Sequence, residues 1–246
     1  MEIIAHRGAS AYAPENSRAA LELAWRLGAD RVEMDVRISA DGVPFLFHEP
    51  RLHFPPTQRQ PVKRLPWPQL RQLRLPNGEP ILTLQEAVDL LEGKVPIYVD
   101  VKDPAAMDAV AGTLRGVEEI IVGCKDPSAL ATFSRGCPDL PTSLQVTAPD
   151  LSIADTAQGC GARFVHLCWE NLPRPWDQLT PEQVEGFREA GLEVILWQED
   201  RPWALRRIAK LGVFGVCTNA PDRARQALGL PPGKQLRPLA SGGDGA

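Results

Sequence analysis

Disulfide and zinc-site signatures are missing from this chain. Its five cysteines, Cys124, Cys137, Cys160, Cys168 and Cys217, are odd in number, and no two stand in Cys-x-x-Cys spacing. That argues against a disulfide framework or a zinc site and for reduced thiols in a cytoplasmic compartment. No run of ~18 apolar residues could cross a bilayer, so no stable membrane anchor is expected. The opening Met-Glu-Ile-Ile-Ala-His-Arg has neither the basic nor the apolar region of a signal peptide. Charge of one sign is also missing. Lys and Arg number 27 against 31 Asp and Glu, a net charge of -4, which gives no electrostatic case for a nucleic-acid partner or an anionic membrane. No internal repeat is present, and the oligomeric state is left open.

What is present is an alternation of short apolar β-type runs with helical patterns. Ile3–Ala5 reads as a strand, and Ser17–Leu27 as an amphipathic helix capped by Asn16 or Ser17. Arg31–Ile38 reads as a second strand. Asp41-Gly42 signals a turn into a further β segment, Val43–His48. The stretch 49–80 is rich in Pro, Arg and Gln and reads as a small insertion with a helix around Trp67–Leu73. Strand and helix patterns then alternate to Leu228, and the Gly/Pro/Ser-rich stretch 231–246 reads as a disordered tail. Leaving Val43–His48 aside, eight strands are expected, nearly all followed by a helix. In 246 residues this favours a single α/β domain over 1–230, a (β/α)₈ TIM barrel with a small inserted cap after the second strand.

In such barrels chemistry sits at the C-terminal ends of strands. His6 and Arg7 end the first strand. Glu33 and Asp35 share one face of the second through the period of two. Asp100 and Lys102 repeat that spacing at the third, and Trp197 ends the seventh. If Asp41-Gly42 closes a two-residue hairpin, His48 faces Asp35 beyond the barrel rim. Three carboxylates form a hard oxygen site for a divalent cation. Arg7 and Lys102 supply charge for a phosphate, and two histidines supply an acid and a base near neutral pH. Together these are the needs of phosphodiester cleavage. Each residue also has a bland reading. A strand-end His is often structural, Asp100–Lys102 could be a plain ion pair, and Trp197 could fill the core. Cys124 and Cys217 read as buried structural thiols, and His53 and His166 as incidental.

The motifs Ile-Ile-Ala-His-Arg-Gly-Ala-Ser at 3–10, Pro-Glu-Asn at 14–16, Glu-Met-Asp-Val at 33–36 and Asp-Gly-Val-Pro at 41–44 with His48 closely resemble the glycerophosphodiester phosphodiesterase family. So do Glu-Pro-Ile-Leu-Thr-Leu-Gln-Glu at 79–86, the Asp100–Lys102 strand, Gly-Leu-Glu-Val-Ile-Leu-Trp at 191–197 and the block at 212–221. The resemblance implies metal-dependent hydrolysis of small glycerophosphodiesters, such as glycerophosphocholine or glycerophosphoethanolamine, to glycerol 3-phosphate and an alcohol. It implies His6 and His48 as the acid/base pair, Arg7 and Lys102 as phosphate ligands, and Glu33, Asp35 and Asp100 as metal ligands. Glu15 and Asn16 would order the substrate site, Trp197 would wall the glycerol, and 49–80 would cap the barrel mouth. A related barrel phospholipase acting on lysophospholipids or sphingolipids is the alternative, with Phe54-Pro55-Pro56 or Trp67 as its apolar contact. A non-catalytic glycerophosphodiester-binding protein is a third reading, which the intact histidines oppose.

Departures from the family pattern bear on substrate preference. Glu49 stands for the usual Asp and Asp100 for the usual Glu. Gly123-Cys124 stands for Ser-Phe, and Trp-Gln-Glu-Asp at 197–200 for Trp-Thr-Val-Asn. Val213-Phe214-Gly215 stands for Val-Asp-Gly, and Thr218-Asn219 for Thr-Asp. The shorter Asp100 leaves a gap of ~1.5 Å that a water could bridge, which favours Mg²⁺ over the alternatives Ca²⁺ and Mn²⁺.

Overall fold

A computed structural model describes residues 1–52, 59–146, 152–168 and 179–233. The elements run β1 (Glu2–Ala5), α1 (Arg18–Arg26), β2 (Arg31–Ile38), β3 (Pro44–Leu46), α2 (Trp67–Leu70), α3 (Leu84–Leu91), β4 (Ile97–Val101) and α4 (Met107–Thr113). There follow β5 (Ile120–Cys124), α5 (Pro127–Gly136), β6 (Thr142–Val146), α6 (Ile153–Gly159), β7 (Phe164–Cys168), α7 (Pro181–Glu189), β8 (Glu193–Trp197), α8 (Pro202–Ile208), β9 (Gly215–Thr218) and α9 (Pro221–Ala227). Every strand but β3 is parallel to its neighbours, and β1 pairs with both β9 and β2, so eight strands close into the expected barrel. Of the expected tail, everything beyond residue 233 lies outside the described residues.

The strand sequences sort their side chains by parity. In β2, Val32, Met34 and Val36 point outward and join the layer shared with the helices. Glu33 and Asp35 point inward and are also buried. The inner core is a second cluster that includes Ile4, Tyr98, Ile121, Phe164, Ile195 and Cys217. Each fully buried aliphatic side chain contributes roughly 1.5–3 kcal/mol, so two apolar layers fix the strands that carry the polar rim. Inside, Tyr98 Oη lies 2.9 Å from His166 Nδ1, and Cys217 Sγ lies 3.7 Å from His166 Nε2. The Tyr98 ring takes its place because residue 123 has no side chain. A Cβ on Gly123 would stand 2.3 Å from Tyr98 Oη.

The hairpin differs from expectation by one residue. The pairs are Val36 with Leu46, Arg37 with Phe45 and Ile38 with Pro44. Ser39 N donates to the Val43 carbonyl at 3.0 Å, so the loop holds three residues, Ala40, Asp41 and Gly42, with Gly42 at φ 84°. An Asp-Gly pair serves such a loop as well as the two-residue turn. The partner of Asp35 is therefore Phe47, whose N donates to the Asp35 carbonyl at 3.0 Å. His48 stands one residue beyond. As expected, β3 lies past the barrel rim: Val36 pairs on its other edge with Val101 of β4, while only Arg31 and Val32 of β2 pair with β1.

The insertion builds a small core of its own. Leu52, Val62, Leu70, Leu75 and Ile81 pack on Phe45 and Phe47. Its helix is one turn, shorter than expected. Trp67 packs against Phe45, with ring centroids 6.0 Å apart. Phe54-Pro55-Pro56 lies outside the described residues.

Candidate active site

The chain leaves β1 through a tight loop that the local residues dictate. His6 N donates to the Thr218 carbonyl, extending the ladder by one bond. Arg7 then takes φ 56° and Gly8 φ 81°. Gly8 is required twice, since a Cβ there would also lie 2.6 Å from the Ala20 backbone of α1. The turn presents Arg7 N to Glu33 Oε2 at 2.7 Å. Arg7 Nη1 donates to Glu15 Oε2 at 2.6 Å, and Nε lies 3.0 Å from Asp35 Oδ2, an ion pair without hydrogen-bond alignment. Ser17, not Asn16, caps α1 by accepting from Ala20 N. That leaves the Asn16 side chain for Asp35: Nδ2 donates to Asp35 Oδ2 at 2.9 Å, and Oδ1 accepts from Asp35 N at 3.1 Å.

Glu33, Asp35 and Asp100 are buried and place one carboxylate oxygen each within 4.8 Å of one another. Three such charges cannot be buried without compensation. Burial raises Glu33 well above the usual carboxylate range, and Asp35 and Asp100 push it further. Burial opposes ionisation of Asp35 too, but Lys102 and Arg7 override it and hold Asp35 low. Lys102 Nζ lies 2.9 Å from Asp35 Oδ1 and also contacts Asp100 Oδ2. These carboxylates raise its pKa against the pull of burial. So Lys102, expected on the phosphate, faces the acids in this structure. Asp100 Oδ1 is buried without a partner among the described residues. A hard-oxygen donor set with an orphaned oxygen fits a divalent cation.

His6 is held by two residues that sequence reasoning passed over. Its Nδ1 lies 2.9 Å from Asn219 Oδ1. The amide is oriented in turn by Asp200, whose Oδ2 accepts from Asn219 Nδ2 at 2.7 Å and whose Oδ1 accepts from Asn219 N at 2.8 Å and Thr218 Oγ1 at 2.7 Å. With its nitrogen committed to Asp200, Asn219 offers only oxygen to the imidazole. Nδ1 therefore carries the hydrogen, and Nε2 keeps a lone pair. Burial, reinforced by Arg7, pushes His6 down to about 4, so it is neutral at pH 7. The signal was in the sequence as two unconnected departures, Asp for Asn at 200 and Asn for Asp at 219.

His48 is half-exposed. Its carbonyl accepts from Arg37 Nε at 2.9 Å and Nη2 at 2.6 Å, and its Nδ1 lies 2.9 Å from Glu49 Oε1. It lines a cavity of about 570 Å³ that runs past Lys102 to Lys125 and Gln145. Trp197 is a buried member of the inner core cluster, its ring centroid 6.3 Å from that of His6 and 5.6 Å from Lys102 Nζ. Of the ten residues singled out from sequence, all lie at this one end of the barrel. His166, read as incidental, sits inside the barrel, where burial lowers it to about 3. His53 lies outside the described residues.

Comparison with known proteins bears on this arrangement. Residues 6–223 match the model of the glycerophosphoryl diester phosphodiesterase family. The glycerophosphodiester phosphodiesterase of Caldanaerobacter subterraneus subsp. tengcongensis is 26% identical over 236 residues, covering 89% of this chain and 94% of that protein. Glycerophosphodiester phosphodiesterase 1 of Mus musculus is 39% identical over 118 residues, 44% of this chain and 36% of that protein. An Oleispira antarctica phosphodiesterase, solved in complex with the product sn-glycerol-3-phosphate, shares the fold with a TM-score of 0.84 at 22% identity, covering 93% of this chain and 97% of its own. The glycerophosphodiester phosphodiesterase of Agrobacterium tumefaciens gives a TM-score of 0.74 at 26% identity, with 92% and 99% covered.

Proposed function

Because the chain belongs to the glycerophosphoryl diester phosphodiesterase family, we propose that it hydrolyses glycerophosphodiesters to glycerol 3-phosphate and an alcohol, with His6 as base and His48 as acid. The observation that carries this reading is the His6–Asn219–Asp200 chain, which assigns the hydrogen to Nδ1 and leaves Nε2 to accept a proton, beside three buried carboxylates. Glu33, Asp35 and Asp100 would hold a divalent cation, with Mg²⁺ favoured. When bound there, the cation would supply positive charge for the phosphoryl oxygens. Arg7, aligned by Glu15, adds a guanidinium for the same oxygens. The attacking hydroxyl, from water or from the glycerol 2-hydroxyl, gives its proton to His6 Nε2; attack by the 2-hydroxyl gives a cyclic phosphate, which a water then opens to glycerol 3-phosphate. The bond from phosphorus to the alcohol oxygen breaks, and His48 protonates that oxygen. Trp197 walls the glycerol, and Asn16 keeps Asp35 in place.

Among the described residues no helix is long and apolar enough to cross a membrane. None of the five cysteines forms a disulfide, which supports a reducing compartment, the cytoplasm.

The test is a panel of phosphodiesters with enzyme-coupled detection of glycerol 3-phosphate, run with and without chelator. His6→Ala and His48→Ala should each lose ~10²–10⁴ in kcat with the fold intact. Failure to release glycerol 3-phosphate from any diester in the metal-loaded protein would end this reading.

A further inference from the structure

The cavity beside His48 has two groups that the hydrolytic chemistry leaves unused. Its volume of about 570 Å³ is in the usual range for small-molecule sites. Gln145, on the inward face of β6, is 4% exposed, and neither Nε2 nor Oε1 has a partner among the described residues. Buried side-chain amides are rarely left bare at both ends, and one that is bare in a cavity wall is suited to a ligand. Lys125 directly follows β5. Its ammonium lies 5.3 Å from the Trp197 ring centroid and has no carboxylate within ion-pair distance among the described residues.

The other charges around the cavity are committed. Lys102 is held by Asp35 and Asp100, and Arg37 Nη1 by Asp103 at 2.9 Å. Asp126 caps α5, accepting from Ser128 N and Ala129 N. What remains for a ligand is therefore an amide that both donates and accepts and an ammonium that only donates. That pair matches hydroxyl groups. It does not match a quaternary ammonium, which is recognised by open aromatic faces. The Trp197 ring already has the Lys102 and Lys125 ammoniums within 5.6 and 5.3 Å.

We infer that this cavity is the subsite for the leaving alcohol and that it takes a polyhydroxylated alcohol, such as glycerol or inositol, in preference to choline. The assignment rests on the hydrolytic reading above, because an acid must stand beside the oxygen it protonates and His48 is in the cavity wall.

Calorimetric titration of metal-loaded His6→Ala protein, in which turnover is slowed ~10²–10⁴-fold, separates the two claims. Glycerophosphoglycerol should bind at least ~10-fold tighter than glycerophosphocholine, the worth of about one well-made hydrogen bond. Adding Gln145→Leu or Lys125→Met should bring that ratio toward one. The lysine lies on the rim, so its variant remains informative if the buried glutamine change unfolds the barrel. Equal or tighter binding of glycerophosphocholine overturns the assignment, as does a ratio that both variants leave intact. A preference that the variants erase, in a wild-type protein that releases no glycerol 3-phosphate, overturns hydrolysis and with it the leaving-group role, and leaves only the cavity's preference for a polyhydroxylated alcohol.

Discussion

Asn219 stands between His6 and Asp200, its amide oxygen 2.9 Å from the imidazole and its nitrogen 2.7 Å from the carboxylate. In the pattern this chain resembles, the positions of 200 and 219 hold Asn and Asp; here they hold Asp and Asn. The pair has exchanged its members, so the negative charge sits one residue away from the histidine.

This exchange predicts a pH shift. A base must be neutral to accept a proton, so activity should rise with pH through the His6 pKa, which lies at about 4. Asn219→Asp puts a carboxylate against Nδ1 and favours the charged ring, moving the acidic limb of kcat/KM upward by about one unit or more. Adding Asp200→Asn should recover the rate that two adjacent carboxylates cost. An acidic limb that stays in place in a pH–rate profile would detach His6 from it.

A second histidine should show in stability. Burial lowers His166 from the ordinary 6.5 to about 3. Between those values the unfolded chain binds a proton that the folded chain refuses. The contribution is therefore intact above pH 6.5 and is lost as pH falls, about 2 kcal/mol of it by pH 5. Glu33, with its raised pKa, acts in the opposite sense, so the His166 share is read by difference. Urea unfolding at pH 7.5 and 5.0 should show a smaller acid loss in His166→Asn than in wild type. Equal losses would mean that His166 is protonated in the fold.

Asp100 is shorter than the Glu it replaces and is also bound by Lys102. If it is a metal ligand, Asp100→Ala weakens Mg²⁺ binding at least ~10-fold. Asp100→Asn should fall between Ala and wild type, and Asp100→Glu should bind as well or better. Metal titration by calorimetry ranks them. Wild-type affinity in Asp100→Ala would reduce Asp100 to a partner of Lys102.

Cys217 Sγ near His166 Nε2 has the outline of a nucleophilic pair. The chemistry runs the other way. Burial raises Cys217 well above the ordinary thiol value and takes Cys124 up to about 11, whereas reactive thiols are lowered. The double change Cys124→Ala with Cys217→Ala should keep kcat within a few-fold of wild type. Inactivation without loss of the folded circular dichroism spectrum would restore a thiol mechanism.

What could be read from the residues was what depends on period and type. The alternation in Arg31–Ile38 placed Glu33 and Asp35 on one face before any geometry was known, and the strand count closed the barrel. What could not be read depends on backbone geometry or on distant neighbours. Asp41-Gly42 is compatible with two loop lengths, and the choice shifts His48 by one residue relative to Asp35. Lys102 as a clamp on the acids, and Gln145 as an amide without a partner among the described residues, follow from side-chain directions that no spacing rule supplies. Asp200 and Asn219 meet only because β8 and β9 are neighbours in the barrel.

Gly123, which makes room for Tyr98, constrains how this barrel can be altered. The resembling pattern carries Ser at that place, yet Gly123→Ser here would drive its Cβ into the Tyr98 hydroxyl. Reversion to the common residue is therefore damaging alone and tolerated after Tyr98→Val, which clears the space. The effect of each change depends on the other, and the order matters: the small residue must come before the large one. Thermal unfolding of the two single variants and the double variant would measure that dependence, with the double more stable than Gly123→Ser alone.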